Sequence, residues 1–163
     1  MAFDGLPPCG PDYDWNVLCD TTAADIVVRQ AGELTVVPLS LTLRVHLRRD
    51  QMAPLRAAGP LGRLIAFQAE NQGEEEANAE LGRNHAALPD DLLNFQHDPV
   101  ACAAAIGWPC VTLQEERRIR PEREGDLLRF VDDDDGRPCR VGIDVDTDLF
   151  DSMWLQAVDA VHR

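Results

Sequence analysis

Two groups of polar residues have side chains suited to chemistry on a small molecule. His97 and Asp98 open the segment F-Q-H-D-P-V-A-C-A-A-A-I-G-W, where a carboxylate at a helix start can bind a cation and the imidazole can deliver a proton near neutral pH. Asp14 and Asn16 lie far upstream in D-Y-D-W-N-V-L-C-D, and an acid with an amide can hold two adjacent hydroxyl groups. Taken alone, Asp98 is better explained as a helix N-cap and His97 as an ordinary loop histidine.

Two further acidic clusters do not match known cation sites. An EF-hand loop needs glycine at its sixth position and glutamate at its twelfth, but a loop beginning at Asp132 has Gly136 fifth and Ile143 twelfth. The run is therefore interpreted as a hydrated turn. The second cluster precedes an amphipathic segment, where acids complement the positive end of a helix dipole. Its members are Asp144, Asp146, Asp148 and Asp151.

The elements around Asn16 are expected to be a helix and a strand. Asp20 is placed to cap a helix that has residues 26–28 on its core side and ends at Gly32. Residues 34–39 are short and β-branched, which predicts a buried strand, and Pro38 places its end near a sheet edge.

The middle of the chain predicts two helices and then a loop. Asp50 is expected to cap a helix running toward Gly59, and residues 61–68 have helical apolar spacing. Residues 70–90 are acidic and poorly periodic, which predicts a mobile loop, with the glutamates at 74–76 on a solvated face.

The last third predicts a helix, paired strands and a closing helix. Asp98 before Pro99 is typical of an N-cap followed by a first-turn proline, and Thr147 is expected to cap the final amphipathic helix. Strands are expected at residues 111–120 and 126–131, with a turn at 134–136. The whole pattern predicts an α/β fold: a mainly parallel sheet flanked by helices, with a late antiparallel pair, as a single domain over residues 1–163.

Composition limits the classes of partner. The 163 residues include 15 basic and 29 acidic side chains, and the net charge of −14 repels phosphate backbones and anionic lipids. We therefore expect neither nucleic acid nor membrane as a partner. No apolar run is long enough to span a bilayer and the start lacks a secretory signal, which predicts a cytoplasmic protein. The five cysteines have no C-x-x-C spacing and are expected to be buried, reduced thiols.

Three segments resemble one enzyme family. D-Y-D-W-N-V-L-C-D-T-T-A-A-D and the following L-T-V-V-P-L-S-L-T resemble the nucleoside hydrolase pattern in which E-x-N and a C-D-P-E-A-A helix precede a strand ending V-P-L-D-V-T. F-Q-H-D-P-V-A-C-A-A-A-I-G-W resembles that family's H-D-P-L-A-V-A element, and G-I-D-V-D-T-D-L-F-D-S-M-W-L-Q-A-V resembles its closing strand and helix. Their order and approximate spacing agree. The chain is similar to the C-terminal half of an inosine-uridine preferring nucleoside hydrolase.

The resemblance implies hydrolysis of the N-glycosidic bond of a ribonucleoside, giving ribose and free base, with Ca²⁺ as cofactor. By motif match, Asp98 is implied as a calcium ligand, His97 as the proton donor to the leaving base and Asn16 as a hydrogen-bonding partner of ribose. Asp14 takes the place of the family's glutamate in E-x-N and is implied in substrate binding.

The departures from the family pattern lead to two hypotheses. The family's D-x-D-P-x-x-D-D metal motif does not occur in this sequence, and Ser40 and Leu43 stand where an acid and a polar residue are usual. On the first hypothesis the chain is half of a hydrolase, weak or inactive alone, that pairs with a separate N-terminal half or with a second copy of itself. On the second it is a non-catalytic nucleoside-binding, ribose-binding or interaction module. An unrelated acidic α/β protein that matches by chance was a third possibility.

Overall fold

A computed structural model describes residues 14–161, apart from the side chain of Glu115. The helices are α1 (Trp15–Cys19), α2 (Thr21–Gln30), α3 (Leu39–Thr42), α4 (Met52–Ala57), α5 (Gly59–Glu75), α6 (Asn78–Asn84), α7 (His97–Ala105) and α8 (Thr147–Ala160), with a 3₁₀ turn at Arg49–Gln51. The strands are β1 (Thr35–Val36), β2 (His46–Arg48), β3 (Leu92–Phe95), β4 (Val111–Glu124), β5 (Leu127–Asp132) and β6 (Arg137–Val145).

The strands form one four-stranded sheet in the order β1-β6-β4-β5 and a separate ribbon of β2 and β3. β4 runs antiparallel to both β5 and β6, which confirms the late antiparallel pairing, and the fold is α/β as expected. The expectation of a mainly parallel sheet is wrong for residues 14–161, where parallel pairing is limited to β1 and β6 because the long β4 pairs antiparallel with both of its neighbours. Among the described strands β1 lies at the sheet edge, where Pro38 was expected to place it. The prediction of a buried strand over residues 34–39 is wrong over most of its length, because β1 has two half-buried residues and α3 begins at Leu39. The turn at 134–136 joins β5 to β6, yet β6 pairs with β4 rather than with β5.

Helices cover both faces of the sheet. Gly142 of β6 meets Leu41 of α3, whereas the neighbouring Val141 packs with Val28 of α2. Because successive side chains of a strand point to opposite faces, α2 and α3 lie on opposite sides. Val28 is the only buried residue of α2, so the expectation that residues 26–28 face the core holds for one of the three.

Two further clusters of buried apolar residues connect the other elements. One packs α3 and α7 with α8 against β4 and β6, and contains Leu41, Val45, Val100, Ala103, Ala104, Cys110, Val111, Val145 and Phe150. The other joins α4, α5 and α8 to the β2–β3 ribbon, and contains Leu47, Met52, Leu55, Ala58, Ala66, Ala69, Leu93 and Val158. α7 and the ribbon therefore have fixed positions relative to the sheet.

The helix starts only partly follow the expected caps. Asp20 caps α2 by accepting the backbone N–H groups of residues 22 and 23, as predicted. The prediction that Asp98 is an N-cap is wrong, because α7 begins at His97 after Gln96. α8 is capped by Asp146 instead of Thr147. The Asp146 carboxylate accepts a hydrogen bond from the backbone N–H of residue 149. Thr147 is already the first residue of the helix and therefore does not occupy the N-cap position.

The cap expected at residue 50 also differs. Asp50 lies inside the 3₁₀ turn that precedes α4, and α4 itself begins at Met52. The helix toward Gly59 is present, but its first turn is tighter than an α-helical turn.

The acidic segment at 70–90 was expected to be a loop, and this prediction is wrong over most of its length. α5 continues to Glu75 and α6 occupies residues 78–84, separated by Ala77 with a left-handed φ of 53°. A Cβ added at Gly73 would lie 2.7 Å from the carbonyl oxygen of Leu93, so the helix approaches the strand closely. The segment is ordered by contacts with β3, which local periodicity does not encode.

Two of the four described cysteines are buried and two are exposed. Cys110 and Cys139 are buried free thiols, as expected, and burial raises the pKa of each thiol. Cys19 and Cys102 are exposed, contrary to expectation, and Cys9 lies outside the described residues. None of the helices within residues 14–161 combines the length and apolar character needed to cross a bilayer.

Candidate active site

His97 stands at the junction of β3 and α7, where its half-buried ring has fixed partners. The imidazole stacks on Phe95 with ring centroids 5.4 Å apart and planes 18° apart. Its Nδ1 lies 2.7 Å from Oγ1 of Thr42, at the end of α3. Among residues 14–161 no hydrogen bond to Nε2 is found. One ring nitrogen is thus held by the protein, and the other has no hydrogen-bond partner among the described residues.

Three carboxylates act on the pKa of His97. Burial lowers the pKa of His97, while the carboxylates of Asp98, Asp14 and Glu76 act in the opposite direction. An effect of this kind requires that these carboxylates lie within electrostatic range of the ring. Asp14 and His97, which the motifs singled out, are therefore within electrostatic range of each other although they are far apart in sequence.

Asp14 and Asn16, at the start of α1, differ in their hydrogen bonding. Oδ1 of Asp14 caps the helix by accepting the backbone N–H of Val17 at 3.1 Å. Asn16 lies in the first turn of α1 and is exposed, and its side chain makes no hydrogen bond with residues 14–161. The amide that the motif assigns to ribose is therefore uncommitted.

Asp98 does not provide a calcium site together with its described neighbours. It is exposed in the first turn of α7. Within residues 14–161 no group of three or more His, Cys, Asp or Glu side chains is close enough to hold a metal ion. Ca²⁺ normally takes 6 to 8 oxygen ligands, so the described residues by themselves do not fit the ion that the family resemblance implies.

His46 belongs to the same cluster and was missed from the sequence. It is paired with Phe95 in the β2–β3 ribbon, and its ring meets the Phe95 ring edge-on at 5.6 Å. Nε2 of His46 donates to the carbonyl oxygen of Leu43 at 2.8 Å. Burial is the largest influence on the pKa of His46 and lowers it, and Arg48 and His97 lower it further. Phe95 is therefore flanked by two imidazoles.

Thr42 and Glu76 were also missed as members of the site. Thr42 is 4% exposed and is the last residue of α3, a region where only Ser40 and Leu43 had drawn attention in the sequence. Glu76 lies in the segment expected to be a loop, and its carboxylate accepts hydrogen bonds from Gln72 and Asn78. Its place near His97 depends on the packing of α5 and α6 and has no local sequence pattern.

The fold is that of a class of nucleoside-cleaving enzymes. The chain is similar to a plant nucleoside hydrolase (TM-score 0.68, 21% identity, 93% of this chain and 49% of that one). A purine-preferring ribonucleoside hydrolase from Gardnerella vaginalis gives a TM-score of 0.72 at 20% identity, over 93% of this chain and 48% of that one. An inosine-uridine preferring nucleoside hydrolase from Bacillus anthracis gives 0.59 at 21% identity, over 98% and 47%.

The sequence agrees with the fold. A statistical description of the inosine-uridine preferring nucleoside hydrolases matches residues 8–152, and the chain belongs to this family, as its three motifs indicated. It spans about half the length of the solved structures that it matches. No curated protein sequence matches it significantly.

Proposed function

We propose that this chain forms the ribose-binding and proton-donating side of a site that hydrolyses the N-glycosidic bond of a ribonucleoside. The observation that carries the proposal is that Thr42 holds Nδ1 of His97 while Nε2 has no hydrogen bond among residues 14–161, with Asp14 within electrostatic range of the ring. Asn16 then donates and accepts hydrogen bonds with ribose hydroxyls, and the second oxygen of Asp14 accepts from them. These contacts orient the sugar for reaction.

The chemistry assigned to the chain's own residues is one proton transfer. The C1′–N bond breaks with its electron pair leaving on the base, and the oxygen of a water molecule bonds to C1′. His97, protonated at Nε2, delivers that proton to a nitrogen of the departing base, and the attacking water loses a proton to solvent. General acid catalysis of this kind typically contributes about 10² to 10⁴ in rate.

The missing cation ligands lead to a proposed partner. Because residues 14–161 hold no group of three metal-binding side chains, the remaining carboxylates must come from outside them. The outer edge of β1 has no paired strand among the described residues, and an unpaired edge is a ready template for another strand. A segment equivalent to the other half of the family fold, or a second copy of this chain, is the partner that we assign to this edge.

The experiment measures nucleoside binding and ribose release separately. Purified full-length chain is titrated with inosine, adenosine and uridine by calorimetry, with and without CaCl₂, and ribose release is followed under the same conditions. We expect inosine binding that Asn16→Ala weakens by about tenfold, which corresponds to about 1.4 kcal/mol. Asn84→Ala, at the exposed end of α6, serves as the matched control and should bind as wild type.

Ribose release decides between the two hypotheses. Calcium-dependent release that His97→Ala abolishes supports a hydrolase. Binding without release supports the non-catalytic module. If no nucleoside binds with or without CaCl₂, both forms of the proposal are wrong.

A further inference from the structure

Thr42 connects His97 to the backbone of α3. Its hydroxyl is buried, and Oγ1 lies 2.7 Å from Nδ1 of His97 and 3.3 Å from the carbonyl oxygen of Leu39. A hydroxyl has one hydrogen to donate and two lone pairs with which to accept. The two contacts therefore cannot both be donated by Thr42.

The protons can be assigned from what each partner is able to do. The Leu39 carbonyl can only accept, and its second lone pair is used by the backbone N–H of Leu43 at 2.9 Å. If the Thr42 hydrogen points to Leu39, Oγ1 accepts from a hydrogen on Nδ1 of His97, and both contacts are hydrogen bonds. If it points to Nδ1 instead, the contact with Leu39 has no hydrogen. The first arrangement makes one more hydrogen bond and is therefore favoured.

We infer that Thr42 is a positioning residue that holds His97 in the Nδ1–H tautomer. Nδ1 then keeps its hydrogen in the neutral and in the protonated ring, and Nε2 is the only ring atom that gains or loses a proton. Phe95 fixes the plane of the ring, so Thr42 and Phe95 together determine where Nε2 points. The inference builds on the proposed function, because a proton donor must present one defined atom to the leaving base.

The other described histidines supply internal references. Nε2 of His46 donates to a carbonyl, which requires the Nε2–H tautomer in the neutral ring. Nδ1 of His85 accepts the backbone N–H of Ala87 at 3.3 Å, which again leaves the hydrogen on Nε2. His97 is therefore expected to differ in tautomer from both His46 and His85.

The test is the ¹⁵N NMR spectrum of the histidine rings in the uniformly labelled chain, recorded at about pH 8.5, where imidazoles are neutral. In these neutral rings we expect the pyrrole-type (N–H) nitrogen shift at Nδ1 of His97 and at Nε2 of His46 and His85. Thr42→Val removes the hydroxyl at nearly constant volume and should move His97 toward the Nε2–H form. Thr42→Ser keeps the hydroxyl and should restore the wild-type pattern.

The outcomes separate this inference from the proposed function. An Nε2–H ring at His97 in the wild type, or a Thr42→Val spectrum identical to wild type, overturns the inference. Unchanged ring shifts at His46 and unchanged backbone amide shifts outside α3 and α7 show that the variant is folded, and Thr42→Ala provides a second variant. The spectrum needs no nucleoside, so a chain that binds no nucleoside still yields a decisive result on Thr42.

Discussion

The side-chain amide of Asn78 donates to the backbone carbonyl oxygen of Leu93 at 2.9 Å, which joins the acidic segment to strand β3. Asn78 is 3% exposed, and the same nitrogen lies 3.0 Å from a carboxylate oxygen of Glu76. Because Glu76 also acts on the pKa of His97, this buried amide connects the packing of α6 with the charge around the site.

Replacing Asn78 with alanine should lower the free energy of unfolding by about 1–3 kcal/mol, because the Leu93 carbonyl loses a buried donor. Urea denaturation measures the change. Asn71→Ala is the matched control: Asn71 is exposed and bonds only within its own helix, so we expect an effect within about 0.5 kcal/mol. Equal losses in the two variants would contradict the structural role given to Asn78.

Gly82 should tolerate no side chain. A Cβ there would lie 2.2 Å from the carbonyl oxygen of Pro89, so Gly82→Ala must displace backbone. Overpacking of this kind typically costs about 1–3 kcal/mol. Gly32→Ala is the control, since a Cβ at Gly32 meets nothing within 4 Å. Thermal unfolding of the two variants tests the prediction. If Gly82→Ala is as stable as Gly32→Ala, α6 does not pack closely against the backbone at Pro89.

Asp151 should make stability depend on pH. Burial, the largest cause, raises its pKa from 3.8 to about 6, with Asp148 and Asp50 acting in the same direction. Its Oδ2 accepts from Gln51 at 2.7 Å, while Oδ1 is buried without a hydrogen-bond partner among the described residues. Since the folded-state pKa is raised, the folded state favours the protonated acid. This contribution is complete below pH 3.8 and is lost as the pH rises through about 6.

Asp151→Asn keeps an acceptor for Gln51 and removes the ionisation. We expect its melting temperature to exceed that of wild type by a few degrees at about pH 7.5 and the difference to shrink toward about pH 4. Comparing the variant with wild type at each pH cancels the other titrating groups. Asp134→Asn, on the exposed β5–β6 turn, is the control and should show no such trend. A difference that grows toward low pH would mean that the shift has the opposite sign.

His46 should titrate below the ordinary histidine value of 6.5, because burial is the largest influence on its pKa. The neutral ring is favoured in the folded state, so this histidine lowers stability as the pH falls and the ring becomes charged. Proton–carbon NMR of the ring across about pH 4–8 measures the midpoint directly. A midpoint at or above 6.5 would show that the hydrogen bond to Leu43 outweighs burial.

Local patterns were sufficient where an element depends on its own residues. The alternation in β4 and β5 and the cap at Asp20 gave correct elements, because pairing and capping act over a few positions. The acidic segment was mispredicted because its helices depend on Gly73 and Asn78 meeting β3, a contact that no periodicity reveals.

The same distinction applies to the site. His97 and Asp14 were found because they occur in motifs, whereas no motif contains His46. His46 lies near His97 because Phe95 contacts both rings, and this arrangement depends on the register of β2 against β3. Sequence patterns therefore identified single groups, and the ribbon pairing determined which of them are neighbours.

The direction of β1 constrains any polypeptide that completes this sheet. β1 runs parallel to β6 and leads through Pro38 directly into α3, which carries Thr42 toward His97. An added strand that pairs parallel to β1 would end at the same edge of the sheet as the carboxyl end of β1. The residues that follow this strand would then lie next to the imidazole of His97. An added strand that pairs antiparallel to β1 would place these residues at the opposite end of the sheet. The direction of the added strand would therefore determine whether its following residues can reach the site.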